Sequence, residues 1–312
     1  MAQPRELKRR IRSVQNTRKI TKTMELVSTS KLKRAQDRVV GARPYAQALA
    51  EVIGELYTPE LAERFPLLRQ PGGSGRGAGV RRAAVLLITS NRGLCGAFNA
   101  NLIREARRRL EELEAQDAHT ELHLVGKKGI SFFKFTKRNI ASQRVDIGDR
   151  PTLEHAAELA KPLMDRFAAG DLDAVDVVFA KFNSAVSTPP TTLRILPVAP
   201  PSDGRTAGRS DAAGRGQSDR PTVRQSVNYI LKPSAEGILT ELLPLYVQNQ
   251  VYRALVETAA AEHGARRTAM KNATDAGQDM LTILQRTFNR ARQAQITQEL
   301  AEIVGGAEAL KG

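Results

Sequence analysis

Seven residues, Ser90-Asn91-Arg92-Gly93-Leu94-Cys95-Gly96, join a run of strand character to one of helical character. A phosphate-cradling loop would sit at such a place, because the first amides of a helix have no partner within it. The spacing is G-x-x-G rather than G-x-G-x-x-G, and no Lys-Ser or Lys-Thr pair follows. The segment therefore reads as a tight strand-to-helix turn, with Cys95 as a small buried side chain. Ser90 lacks the G-x-S-x-G context of a nucleophile elbow. His119 and His123 are four apart, but on a loop and a strand with no nearby carboxylate pair, and read as surface histidines. Asp171, Asp173 and Asp176 suggest a turn into a strand rather than a metal loop. One cysteine and four histidines supply neither a disulfide nor a structural zinc set. No catalytic group, cofactor or metal is expected.

With no chemistry of its own in view, the chain is expected to act through its surface. Lys and Arg number 48 against 33 acids, a net charge of +15, which calls for an acidic partner. Residues 1–43 carry thirteen Lys and Arg and only Glu6, Glu25 and Asp37 in opposition, so ten of the fifteen net charges lie there. Nucleic acid is one candidate, as for a basic coiled-coil nucleic-acid-binding protein. Yet no aromatic residue precedes Tyr45 to stack on bases, and the apolar face of this segment needs another helix. No apolar run approaches the ~18 residues of a membrane span. The first residues are charged throughout, so no signal peptide and a cytoplasmic location are expected.

Aromatic residues make up 4% of the chain and Trp is absent, which suits helices built on Ala, Leu, Ile and Val. Leu7, Ile11, Val14, Ile20, Met24, Val27, Leu32, Ala35 and Val39 recur at steps of three and four with slips in phase, predicting a helix from Arg5 to Arg43. Pro44 is expected to kink it, and the pattern resumes from Leu49 to Leu56. From Tyr246 to Val304 no proline occurs, and small or apolar residues recur near a period of 3.6. As one helix this stretch would reach ~88 Å at 1.5 Å per residue. Gly305-Gly306 is expected to end it. Such a helix needs a partner along its length, and the N-terminal helix is the candidate of comparable reach.

Between them the pattern changes. Strands are expected at 83–89, 122–125, 175–182 and 193–198, and helices at 100–113 and 153–167. This alternation predicts a small parallel α/β layer. Gln70 to Gly79, with five glycines, and Pro200 to Pro221, with no aliphatic residue larger than Ala, read as surface loops. The expected organisation is an N-terminal coiled-coil helix (1–58), a linker (59–82), an α/β domain (83–199), an insert (200–222), an extended segment with a short helix (223–245) and a C-terminal coiled-coil helix (246–312). The fold class is α+β or α/β: an antiparallel coiled coil of terminal helices with an inserted Rossmann-like domain.

Four stretches carry a resemblance: RIRSVQNTRKITKTMELVSTSKLKRAQ (Arg10 to Gln36), ITSNRGLCGAFN (Ile88 to Asn99), AMKNATDAGQDM (Ala269 to Met280) and NRARQAQITQELAEIVGGAEAL (Asn289 to Leu310). They closely resemble the γ subunit of F-type ATP synthase. The resemblance implies a non-catalytic rotor inside the ring of α and β subunits, with its α/β domain beside the ε subunit and the c-ring, at the cytoplasmic face of the bacterial plasma membrane. It implies a catch for β at Arg292, Gln293, Thr297 and Glu299, with Met24 close by on the other helix. It also implies a shaft tip in an apolar bearing at Ile296, Leu300, Ile303 and Val304, and a c-ring-facing foot near Tyr229 and Lys232. The basic guide facing an acidic lever of β would be Lys8, Arg9, Arg10, Arg12, Arg18, Lys19 and Lys22. The chain departs from the family pattern at Asn91, where Asp is usual, at Ala97-Phe98, where Gly-Tyr is usual, and at Lys232, often acidic. The insert at Pro200 to Pro221 lies near the redox loop of plant-type γ subunits but has no cysteine.

Overall fold

A computed structural model describes residues 4–57, 64–70, 79–198 and 235–309. Helix α1 spans Pro4–Leu56 without interruption. It runs through Pro44 because the cost falls on its outer side: Pro44 is exposed, and so is Val40, whose carbonyl loses its partner. The last helix, α5, spans Ala235–Ala309. It starts well before Tyr246, takes in Pro244, and continues through Gly305 and Gly306, where a stop was expected. Neither glycine adopts the left-handed conformation of a helix-ending cap. At 75 residues, α5 is ~112 Å long.

The two helices are antiparallel. The hydroxyls of Thr21 and Thr274 meet at 2.8 Å, and Gly277 brings its backbone against the Arg18 side chain. Ser28, Leu32, Ala35, Val39, Ala46, Leu49 and Ile53 are buried along α1. Beyond Met270, Leu281 is the only buried residue of α5 among the described residues. The helices are thus deeply packed where the α/β domain covers them and nearly bare beyond it.

The inserted domain is a five-stranded sheet in the order β3-β2-β1-β4-β5. Its elements are β1 (Arg82–Ile88), α2 (Phe98–Glu114), β2 (His119–Val125), α3 (Lys127–Phe135), β3 (Ser142–Arg144), α4 (Leu153–Ala168), β4 (Ala174–Ala180) and β5 (Pro190–Leu196). The β3, β2, β1 and β4 pairings are parallel, but β5 runs antiparallel to β4, with Ala180 opposite Pro190. The expectation of a parallel layer fails at β5 because only a short loop joins it to β4, too short for a crossover. Alternating residues of β1 face two cores: Ala84, Leu86 and Ile88 pack with α4, while Ala83, Val85 and Leu87 pack with α2 and α3. Helix α5 belongs to both. Leu239 to Leu255 pack on the α4 side and Val256 to Ala261 on the α2 side, so the shaft crosses the sheet between them.

Candidate partner-binding surface

The turn after β1 is structural. Leu94 and Gly96 are left-handed, with φ of 62° and 60°. Asn91 ties three loops together: its amide donates to the carbonyls of Val145 (3.1 Å) and Ile147 (2.9 Å), and its oxygen accepts the Lys127 amide (3.0 Å). The next amides of α3 go to the Ser90 carbonyl (3.2 Å) and the Thr89 hydroxyl (3.0 Å). The first three amides of α3 are therefore all taken up by the turn, which serves to tie β1, β2 and α3 together. Gly126 has a φ of 98°, and a Cβ there would run into the Thr89 carbonyl. Cys95 is buried, and burial raises its thiol pKa. His123 is not a surface histidine: β3 covers β2, its Nδ1 lies 2.7 Å from the Ser142 hydroxyl, and burial lowers its pKa. His119 opens β2 rather than lying in a loop. Asp176 is buried between Arg109 (2.8 Å) and Arg194 (2.9 Å).

Outside the α/β domain the helices present the candidate surface. Lys8, Arg9, Arg12, Lys19 and Lys22 are exposed, as is Arg10, while Arg18 is half-buried against α5. Arg10 pairs with Glu6 at 2.7 Å and Lys22 with Glu25 at 3.1 Å. The other five cations have no ion pair among the described residues. Arg18, Lys19 and Lys22 line a cleft of about 650 Å³ between the helices, with Thr23, Thr274, Asp275 and Gln278. Most of the basic excess is thus left for something outside the chain.

Arg292, Gln293, Thr297 and Glu299 are all exposed on α5. The Thr297 hydroxyl donates to the Gln293 carbonyl (3.0 Å), and Glu299 accepts from Gln295 (2.8 Å). Met24 does not join this group. It lies three residues from Thr21, whose partner is Thr274, and Gln293 is nineteen residues further along α5, ~28 Å at 1.5 Å per residue. Met24, half-buried on α1, and the exposed group around Gln293 are thus set apart along the shaft rather than forming one cluster. Ile296, Leu300, Ile303 and Val304 are 48–68% exposed, an apolar face with no cover among the described residues. Tyr229 and Lys232 lie outside the described residues.

Where the α/β domain meets the shaft, a set of residues that spacing did not single out comes together. Asp149, in the loop before α4, is paired with Lys31 of α1, and its carbonyl accepts from Arg38 at 3.2 Å. Its carboxylate is 3.8 Å from His263 Nε2 of α5. Burial alone would raise the Asp149 pKa, but the Lys31 hydrogen bond and the His263 and Lys31 charges hold it below the usual carboxylate value. Burial pushes His263 down to about 4. Burial also raises Glu262, against the pull of Arg266, which it binds at 2.5 Å. Glu262 and Arg266 are four apart on one helix, but Lys31, Asp149 and His263 come from distant parts of the chain, so no spacing rule brings them together.

A family model described as ATP synthase matches residues 3–310. The ATP synthase gamma chain of Gemmatimonas aurantiaca is 58% identical over 312 residues, covering all of both chains. That of Moorella thermoacetica is 43% identical over 311 residues, again covering both in full. Among solved structures, the Euglena gracilis mitochondrial ATP synthase in rotational state 3 has a chain with a TM-score of 0.66 at 21% identity, covering 98% of this chain and 94% of that one. The rotor of the same organism's enzyme gives 0.62 at 20% identity, covering 94% and 98%. At such identities these structures bear on the fold, and they share it.

Proposed function

The chain belongs to the ATP synthase gamma chain family, and from that premise we propose how its surface serves the complex. A gamma chain is the central-stalk subunit of ATP synthase and is not itself catalytic; it couples rotation to ATP synthesis or hydrolysis on β. The paired ends of α1 and α5 stand inside the ring of α and β subunits. Ile296, Leu300, Ile303 and Val304 run in an apolar bearing of that ring. Arg292, Gln293, Thr297 and Glu299 form one catch for β loops, and Met24 belongs to a second, lower station. Lys8, Arg9, Arg10, Arg12, Arg18, Lys19 and Lys22 guide an acidic lever of β. The α/β domain rests against the ε subunit and the c-ring, with a foot near Tyr229 and Lys232. The chain is peripheral, at the cytoplasmic face of a bacterial plasma membrane, without inserting into it. No helix of the described residues is long and apolar enough to cross a membrane.

The observation that carries this reading is the bare end of α5: four large apolar side chains, Ile296, Leu300, Ile303 and Val304, exposed together on one helix face with no cover among the described residues. An exposed apolar stripe of that kind marks a surface that meets a partner. A bearing also avoids strong directional bonds, since each would have to break at every step. The test is co-purification of the tagged chain with α and β subunits, followed by ATP turnover of the complex. Replacing Gln293 and Thr297 together by Ala is expected to lower turnover while the complex still assembles. Unchanged turnover and proton pumping would reject the catch.

A further inference from the structure

Where β4 outruns β1, its backbone loses its neighbour. The pairing of β1 with β4 ends at Leu87 opposite Val178, yet β4 continues to Ala180. Two buried side chains of α5 take the amides left over. The Thr258 hydroxyl accepts the Ala180 amide at 3.3 Å, and Glu257 Oε2 accepts the Phe182 amide at 3.0 Å. Glu257 is 1% exposed, and its other oxygen is held by Arg253 at 2.8 Å. Seven residues further along α5, Gly264 sits so close to the β4–β5 loop that a Cβ would lie 3.0 Å from the Ala185 carbonyl oxygen.

The opposite side of the same helix is also gripped. Arg266 follows Glu257 by nine residues, about two and a half turns at 3.6 residues per turn, so it projects from the far side of the axis. It is 8% exposed, and its Nε and Nη2 donate to the Gly93 carbonyl at 3.4 and 3.3 Å, with Glu262 bracing the guanidinium. Between the two grips the helix turns small residues, Ala259, Ala260 and Ala261, to the domain, followed by Glu262, which braces Arg266, and His263, which lies 3.8 Å from Asp149 without a hydrogen bond between them. Apolar packing is non-directional, and an alanine surface has no long side chains to interlock. Such packing holds the shaft against the sheet but offers little resistance to its turning about its own axis. Hydrogen bonds to fixed main-chain groups do resist turning, because their strength depends on angle.

Resting on the rotor reading, we infer that Glu257, with Thr258, and Arg266 form a torsional key: two directional grips on opposite sides of α5 that fix its rotation relative to the α/β domain. Opposed forces at two points across an axis make a couple, which is what torque transfer from shaft to domain requires. The buried carboxylate suits the task. A main-chain amide deprived of it would be left unpaired in the interior.

The test uses the chain assembled with its α and β ring. A bead is fixed to the α/β domain through Lys134→Cys in a Cys95→Ser background, and the same chains are placed in the membrane-bound complex for proton pumping. Glu257→Leu is expected to broaden the angular spread of the bead in stalled complexes and to lower pumping per ATP, with hydrolysis by the ring retained. Glu257→Gln, which keeps the acceptor oxygen, is expected to restore the parent spread. Thr258→Val and Arg266→Met each remove one directional bond, and they are read in the same way, so the test does not depend on the Leu variant assembling. If the variants that assemble keep the parent's angular spread and pumping ratio, the key is wrong. A parent bead that does not turn with ATP would instead overturn the rotor reading on which it rests.

Discussion

Thr21 of α1 and Thr274 of α5 join their hydroxyls at 2.8 Å across the seam of the paired helices, 253 residues apart in sequence. Each hydroxyl also lies within reach of its own helix, Thr274 of the Met270 carbonyl at 2.8 Å and Thr21 of the Arg18 carbonyl at 3.0 Å, so that with one proton apiece one donates across the seam while the other donates to its own carbonyl. The pair lies where the seam has few buried apolar residues, so a polar contact marks the register there. Replacing one Thr by Val leaves the other hydroxyl facing a methyl group. Each single variant is expected to cost about 1 kcal/mol, and the double variant less than the sum. Thermal unfolding of the four chains measures this cycle, and additive costs would mean the hydroxyls do not interact.

Asn91 serves as a donor as well as an acceptor, a double role that a carboxylate could not fill. Asn91→Asp would set a charged oxygen against the carbonyls of Val145 and Ile147. A loss of about 1–3 kcal/mol is expected from two broken bonds in a partly buried turn. Denaturant unfolding at neutral pH reads it, and an unchanged midpoint would contradict the assignment.

His263 gives the joint between domain and shaft a pH dependence. Its pKa in the folded chain, about 4, lies below the ordinary 6.5. The unfolded chain therefore takes up the proton first as pH falls. Stability is full above about 6.5, declines through the window down to about 4 and levels off for this group below it. Lys31, Arg38 and Arg266 oppose the proton and Asp149 favours it. Asp149, with a lowered pKa, adds a further loss of the same sign below its ordinary 3.8. His123, also lowered by burial, contributes in the same direction. His263→Gln is expected to flatten the decline between pH 6.5 and 4 by about 1–3 kcal/mol, leaving the share of His123. An equal slope in both chains would place the dependence elsewhere.

The basic end of α1 is expected to work by number. Exposed pairs are worth about 0–1 kcal/mol each, so single Ala substitutions at Lys8, Arg9 or Arg12 should be nearly silent. Reversing all three to Glu should slow assembly with the ring at low salt. The effect should shrink as the screening length falls from ~10 Å at 0.1 M to ~3 Å at 1 M. Assembly rates at the two ionic strengths decide it; a triple reversal that assembles at the parent rate at low salt would return the charge to another acidic partner.

The long helices and most strands were legible because their patterns are local. Leu32, Ala35 and Val39 mark a face by spacing alone, and the apolar run at Ala83 to Ile88 can be little else than a buried strand. The antiparallel direction of β5 was not, since strand sequences carry no arrow. Helix α3 was missed because Lys127–Phe135 is short and contains Gly129, and β3 because three polar residues make no pattern. Pro44 and Gly305-Gly306 looked like breaks, but a long helix tolerates them where the affected backbone faces outward. The candidate surface was legible as charge and apolar exposure, whereas the distance between Met24 and Gln293 needed the register. Glu257 and Arg266 read by spacing only as i,i+4 helix pairs with Arg253 and Glu262, and Asp149 as nothing, because the contacts that define them, to Phe182, Gly93 and Lys31, are far away in the chain.

The most direct measurement of the central claim is single-molecule rotation. The chain is assembled with α and β subunits fixed to a surface, and a bead is attached to the α/β domain at the far end from the ring. On addition of ATP the account predicts sustained turning in one direction, driven by hydrolysis in the ring. A bead that stays at a fixed angle while the same complexes hydrolyse ATP would contradict it.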